Sequence, residues 1–543
     1  MKPTAFFLAA SLFLAACNTG TSSPVTSPLV YTQTVYLNNQ SLFLVKVNRS
    51  DYNVGYNYTG SASSVGDLSG GRSAVPGALV PRESGGEISA DPAGLDAGET
   101  FVRREHERSQ KFNSNPPPLP AETLLPRRPR AFPPVVGDPR DFHVEDSNGN
   151  FTSVVSTTLK AQSSKANVWI ADDNFDNSSS ANDDQKLTMA QAEALADKFN
   201  TAYNLVTNVF GYEYGAAYGQ PLGGKDGDER IQILVYDIDY DYSSTQTSGT
   251  FGYFWNKDFY TQTELDSAGL SNIKTNDAEI MYIDAHFTDC APDMIYSTLI
   301  HEFQHMIHFN EKYVRRGKRS ETWYNEMLSM LAEDMIAPMI GVTGPNNLPM
   351  GRFPWFIRGY SEGISRWLSG SDVYFSYANA YAFGAYLARN LGGPALVEAM
   401  AKNNYVNKDS ISAALAAVSP APDVKNFDRA LYRFAETLVY NGAPAGRFSF
   451  GRAASGVIGG NTYTFNGINI RNWNNSNIYS PADVVINAGG PGPLIFSLKY
   501  LFGMPPNSVL VQSRPEWQNF TGVLTVTFTL PLNPFIDQYL LIR

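Results

Sequence analysis

His301 and His305 flank Glu302 in the pentapeptide His301-Glu302-Phe303-Gln304-His305, in a chain with only 6 histidines among 543 residues. On an α-helix, positions i and i+4 lie one turn apart on one face, so both imidazoles could bind a single metal ion. Glu302 would project beside that face, within reach of a water next to the ion. A metal beside a carboxylate base can turn water into a nucleophile. The flanking residues supply the helix this requires. Met294, Ile295, Leu299, Ile300, Phe303, Met306 and Ile307 recur at helical spacing and would pack into a core. Two imidazoles pressed against such a core without a partner would be costly.

Two histidines leave such a site one protein ligand short. Glu326 follows His305 by 21 positions, and Met327, Leu328, Met330 and Leu331 give its segment a helical apolar face. The gap has room for a turn and a return helix facing the first. Trp323-x-Asn325-Glu326 followed by Glu333 resembles the third-ligand helix of gluzincin metallopeptidases, in the form found in aminopeptidase N. A longer stretch resembles the hyicolysin family of secreted bacterial metallopeptidases. It runs from Ile231–Ile238 through Gly252-Tyr253-Phe254 and Met281-Tyr282-Ile283-Asp284 to His301–His308, and the likeness covers about residues 145–440.

The resemblance implies zinc held by His301, His305 and Glu326, Glu302 as general base, and a protein or peptide as substrate. Zinc brings the pKa of a bound water to about 7, and Glu302 would pass its proton to the leaving amine. Aminopeptidase relatives add an oxyanion-stabilising tyrosine on a later helix. Tyr377-Ala378-Asn379-Ala380-Tyr381, ahead of Gly384, Leu387, Leu391 and Gly392, puts Tyr377 in that place; Tyr381 and Tyr386 read as core.

Two departures matter. Four residues after the ligand Glu, where the thermolysin pattern has an Asp that orients a histidine, stands Met330, so that partner is unassigned. The Gly-x-Met-Glu-Asn motif that holds a free amino terminus in aminopeptidases is missing, and Gly249–Trp255 offers only backbone and aromatics to an extended peptide. Internal cleavage is therefore expected. The rival readings are an aminopeptidase and a non-catalytic adhesin or binding lipoprotein on a peptidase fold. His308, two turns from His301, is expected beside the ligands or at the surface, and His286 at the rim in a structural role. His106 and His143 stand alone, and Asp237, Asp239 and Asp241 read as a solvated loop.

The elements that must position these residues form an α+β chain. A zincin-like catalytic domain, with a small mixed sheet, the His-Glu-x-x-His helix and a following helical subdomain, is expected over 141–444. A C-terminal β-sandwich-like domain is expected over 445–543, completed by N-terminal strands. The length calls for more than one core, and a net charge of -11 disfavours nucleic acid as a partner. An apolar run, Ala5–Ala16, follows Lys2 and ends in Leu14-Ala15-Ala16-Cys17. It is too short to span a bilayer and resembles a bacterial lipobox. The resemblance implies a signal peptide over 1–16 and membrane attachment through lipidated Cys17, in the bacterial cell envelope on the outer surface or facing the periplasm. Cys290 then lacks a disulfide partner. Residues 17–59 read as a tether and β segment. Residues 60–140, rich in Gly, Ser and Pro and carrying Pro126-Arg127-Arg128-Pro129-Arg130, read as a disordered linker, with a role as inhibitory pro-segment left open.

Overall fold

Ile231–Tyr236 and Ile280–Asp284 are buried along their whole length, and strands of that kind need both faces of their sheet covered. In the computed structural model they form the centre of a six-stranded mixed sheet with helices packed against it. The structure describes residues 30–54, 102–104, 106–119, 132–151, 154–179, 185–215, 224–342, 348–442, 446–475, 485–498, 503–529 and 535–543. The expected signal peptide, Cys17 and much of 60–140 lie outside these residues. Among them, no helix is long and apolar enough to cross a membrane.

The described chain opens with strands β1 (Val30–Gln40) and β2 (Leu42–Asn48). A short strand β3 (Val102–Arg104) and a polar helix α1 (Glu107–Ser114) follow. Strands β4 (Pro139–His143), β5 (Val154–Gln162) and β6 (Ala166–Ala171) start the large sheet. Helix α2 (Met189–Phe210) begins at the expected capping box, in which Thr188 and Gln191 satisfy each other's backbone N–H groups. Then come β7 (Ile231–Tyr236), β8 (Ser248–Thr250), β9 (Gly252–Phe254), α3 (Gln262–Ser267) and β10 (Ile280–Asp284). The sheet order is β4-β5-β6-β7-β10-β9, with β6, β7 and β10 parallel and β9 an antiparallel edge.

Asp284 closes β10 and turns the chain. One carboxylate oxygen accepts from Phe287 N at 3.0 Å and starts α4 (Ala285–Cys290); the other accepts from Ile238 N at 2.9 Å. Pro292 occupies the first turn of α5 (Pro292–His308), where its missing N–H costs nothing. Phe303 of α5 meets Phe199 and Tyr203 of α2 at ring separations of 5.0 and 5.2 Å. A Cβ on Gly252 would come 2.7 Å from Tyr282 O and 3.0 Å from Thr298 Cγ2, so glycine lets β9 lie directly against β10 and α5. Five further helices follow α6 (Thr322–Ile336): α7 (Leu348–Gly359), α8 (Val373–Leu391), α9 (Gly393–Lys402), α10 (Lys408–Val418) and α11 (Phe427–Tyr440). Helix α6 packs between α5 and α8.

Strands β11 (Ala454–Ile458) and β12 (Asn461–Phe465) form a hairpin on these helices; the Tyr463 hydroxyl donates to Leu205 O at 2.9 Å. The hairpin thus belongs with the helical part rather than with the C-terminal β layer. That layer comprises β13 (Phe496–Ser497), β14 (Ser508–Ser513), β15 (Phe520–Thr529) and β16 (Ile536–Ile542). As expected, the N-terminal strands complete it. β2 lies between β14 and β16, and β1 pairs antiparallel with β15. Val35, Leu37, Leu42, Leu44, Trp517 and Val526 fill the space between the two small sheets.

The reading of 60–140 as a disordered linker is corrected at 102–104, 106–119 and 132–140, which are folded. Composition misleads there because α1 has almost no apolar face. Its order comes from hydrogen bonds, an ion pair and a single aromatic side chain packed on the elements around it, which composition does not report. Replacing Gly252 by Val is expected to destabilise the fold by about 1–3 kcal/mol through overpacking. Denaturant unfolding reads this directly, and unchanged stability would mean that β9 is not held at this distance from α5.

Candidate metal centre

Helix α5 carries His301 and His305, and α6 returns beside it with Glu326. Glu326 Oε2 lies 3.2 Å from His301 Nε2 and 3.4 Å from His305 Nε2. A tetrahedral ion with bonds of about 2.05 Å needs donors about 3.3 Å apart, so the three side chains fit a metal of that kind. All three are buried, with ligand atoms within 4.8 Å of one another. Among the described residues this is the only group of three or more that could hold a metal ion. Asp237, Asp239 and Asp241 do not form another.

The outer nitrogen of His301 is also held. His301 Nδ1 lies 2.6 Å from Glu333 Oε1 and 3.0 Å from the Arg103 guanidinium; a proton on Nδ1 donated to Glu333 would leave Nε2 to serve a metal beside Glu326. Glu333 accepts from Arg103 through both oxygens, at 3.0 and 3.2 Å, and from the Ser297 hydroxyl at 2.7 Å. Ser329 Oγ lies 3.1 Å from His305 Nδ1 and 3.4 Å from its Nε2, against the edge of the ring, and donates to Gln304 Oε1. Glu333 therefore fills the orienting role that Met330 cannot; Met330 is core. It was visible in the sequence as the second Glu of the α6 motif.

Charge follows this geometry. Burial and Arg103 oppose protonation of His301, but Glu333 and Glu326 outweigh them and raise its pKa to about 10. His305 is also raised, against burial, by Glu326. Burial alone would raise the Glu326 and Glu333 carboxyls. The imidazoles reverse that for Glu326, and Arg103 with His301 for Glu333, which falls to about 2. Without a metal the cluster holds protons on its histidines and negative charge on its carboxylates.

Glu302 lines the cleft, and its Oε2 accepts from Phe254 N of edge strand β9 at 2.8 Å. Tyr377 is buried on α8, its hydroxyl bonded to Gln110 Nε2. The same nitrogen donates to Glu326 Oε1 at 3.0 Å, so one amide group separates Tyr377 from the third ligand. Tyr381 instead donates to Asp334, which is paired with Arg389, and is structural. His308 is buried in the cleft wall rather than at the surface, with its pKa pushed well down by burial, and it joins no ligand group. The His286 Nε2–H donates to Gln246 O at 3.1 Å, a structural role. His106 does not stand alone: it caps α1, stacks on Tyr253 at 4.1 Å and lies 3.3 Å from Glu145. His143 sits on β4, its backbone N–H bonded to Asn276.

Residues 147–462, more than half of the chain, match the peptidase M30 family. The chain belongs to that family. The M30 match covers nearly the span of the hyicolysin resemblance and contains α5, α6 and α8. It starts after β3 and α1, which supply Arg103 and Gln110 to the site. The neutral metalloprotease ShpI of Staphylococcus hyicus is 26% identical over 266 residues, covering 47% of this chain and 52% of that protein. The chain thus spans about half the length of this curated relative.

Two outcomes test the centre in this M30 chain. Glu333→Gln should weaken binding of zinc, used as the probe ion, by roughly 10- to 100-fold in chelator competition; unchanged affinity would remove Glu333 from the site. A metal must displace the His301 proton, which in the metal-free protein persists from pH 6.5 up to about 10. The raised pKa stabilises the metal-free fold below pH 6.5, and this contribution is lost as pH rises through 10. Metal affinity should run the opposite way, climbing with pH over that window with proton release. Calorimetry in buffers of different ionisation enthalpy measures the release, and binding without it would contradict the assignment.

Proposed function

We propose that this M30 chain is a zinc-dependent endopeptidase of the bacterial cell envelope, anchored through lipidated Cys17. One observation carries the catalytic part: His301, His305 and Glu326 converge in a cleft that Glu302 lines and that the edge of β9 borders. A zinc ion held by those three side chains would supply Lewis acidity, polarising the scissile carbonyl and acidifying water. Glu302, fixed to β9 by the Phe254 N–H, accepts the proton of the attacking water and delivers it to the leaving nitrogen. Tyr377 donates its hydroxyl to the developing oxyanion once the Gln110 amide is out of the way. Glu333 keeps His301 in the tautomer that presents Nε2.

The edge of β9 favours internal cleavage. An extended peptide can hydrogen-bond along it from either direction, and the Gly249–Trp255 segment has no carboxylate to hold a free amino terminus. The complete set of ligands and base argues against a purely binding role. The envelope assignment rests on the Ala5–Cys17 sequence alone.

Glu302→Gln should retain about one zinc per chain and lose peptide hydrolysis by at least about 100-fold. Metal analysis and an internally quenched peptide blocked at both ends read the two quantities together. Equal turnover by both chains would remove Glu302 from the mechanism. Cleavage confined to peptides with a free amino terminus would overturn the endopeptidase reading.

A further inference from the structure

Helix α1 and the residues after it lie in the cleft where a substrate would bind, and they use the groups a substrate would use. The Gln110 amide nitrogen bonds both Glu326 Oε1 and the Tyr377 hydroxyl, and Gln110 Oε1 accepts from Trp367 Nε1 at 3.0 Å. One turn on, the Asn113 amide donates to Phe254 O at 2.7 Å and accepts from Asn256 N at 2.9 Å. A side-chain amide has the donor and acceptor of a peptide unit, and here it takes both backbone groups that an added strand would need at the edge of β9. Ser114 Oγ lies 2.8 Å from Thr322 Oγ1. Beyond α1, Pro117 O accepts from the Tyr260 and Tyr313 hydroxyls, each at 2.7 Å, and Pro116 O accepts from Arg319 at 3.0 Å. An extended peptide cannot occupy these positions while 107–119 does.

The contact is built to be broken. Within α1 only Ser109 is buried, and Phe112 is half-buried against Trp255 and Tyr260. The rest are hydrogen bonds that a substrate or water can replace, and one ion pair, Arg108 to Glu145 at 3.1 Å, whose arginine is exposed to solvent. Strand β3, by contrast, is firmly seated: it pairs with β8, and Arg103 is buried against Glu333. Breaking a buried ion pair of that kind is strongly unfavourable. The M30 match begins at residue 147 and leaves the whole segment outside the catalytic unit.

We infer that residues 107–119 are an intramolecular inhibitor, docked as a peptide mimic over the metal ligands and the β9 edge and hinged on the β3 anchor. The inference rests on the peptidase reading for the identity of the blocked substrate, a polypeptide in extended form. Being tethered, the segment competes at a high effective concentration, so the peptidase stays closed until 107–119 is displaced. The N-terminal strands β1 and β2 belong to the C-terminal layer, so deleting everything before residue 120 would damage the fold and is the wrong test.

The test keeps the full chain and staples the segment. In Ser114→Cys/Thr322→Cys the two positions are close enough to form a disulfide. Hydrolysis of the blocked quenched peptide is followed in the oxidised and reduced states. Binding of the same peptide is followed by anisotropy in the same variant carrying Glu302→Gln. The oxidised chain should lose at least about tenfold in both, as expected when the open state falls to about a tenth of its former population, and reduction should restore both. Gln110→Ala/Asn113→Ala, with no staple, should instead gain several-fold in kcat/KM. Equal peptide binding in the two redox states, including none in either, overturns the inference. Redox-switched binding with no hydrolysis in any state supports the docked inhibitor and overturns the peptidase reading instead.

Discussion

Two imidazoles and a carboxylate share a dry space between α5 and α6, and the surrounding structure is arranged to make that tolerable. Each of these groups would lose its charged or hydrogen-bonded state if buried alone. They are stable together because Glu326 faces both Nε2 atoms while Glu333 holds the opposite nitrogen of His301. Arg103 adds a second cation to Glu333 beside His301, and it comes from a strand 230 residues earlier in the chain. Glu326, His301, Glu333 and Arg103 form one contiguous cluster, in which Arg103 touches both Glu333 and His301. Removing any member leaves its neighbour with unmatched charge in a low dielectric.

The scaffold follows from that demand. Helix α5 has to present His301 and His305 on one side while its other sides are covered, and α2, β9 and α6 cover them. Glycine at 252 lets β9 come close enough for Phe254 N to reach Glu302. The edge of the sheet and the Glu302 carboxylate are thus set by one contact, and their distance from the candidate metal ligands follows from backbone packing.

How far this could be read from the sequence depended on whether a residue's role is local. Helix α5, its paired histidines and the capping box of α2 all show in short windows, because helical periodicity and capping are properties of neighbours. Glu326 was reached by spacing and resemblance, and the structure brings it to the histidines. Glu333 stood in the same motif, but its function depends on the rotation of α6 against α5, which spacing does not encode. Arg103, Gln110 and Asn113 gave no signal. They sit in a polar stretch bordered by Gly, Ser and Pro, and their partners are carried by α5, α6, β9 and α8. Their order is tertiary in origin, so no window of sequence contains its cause. Tyr377 was placed by resemblance, and its hydroxyl does face the ligand carboxylate across one amide.

Strand β2 lies between β14 and β16, and β1 runs alongside β15, so the first described residues are woven into the last. This fixes how the molecule bears force. A pull applied at residue 30 is carried into the C-terminal sheet by rungs of backbone hydrogen bonds loaded in parallel, and only then into the helices around the metal ligands. The first and last described strands therefore share any such load before it reaches the candidate metal ligands.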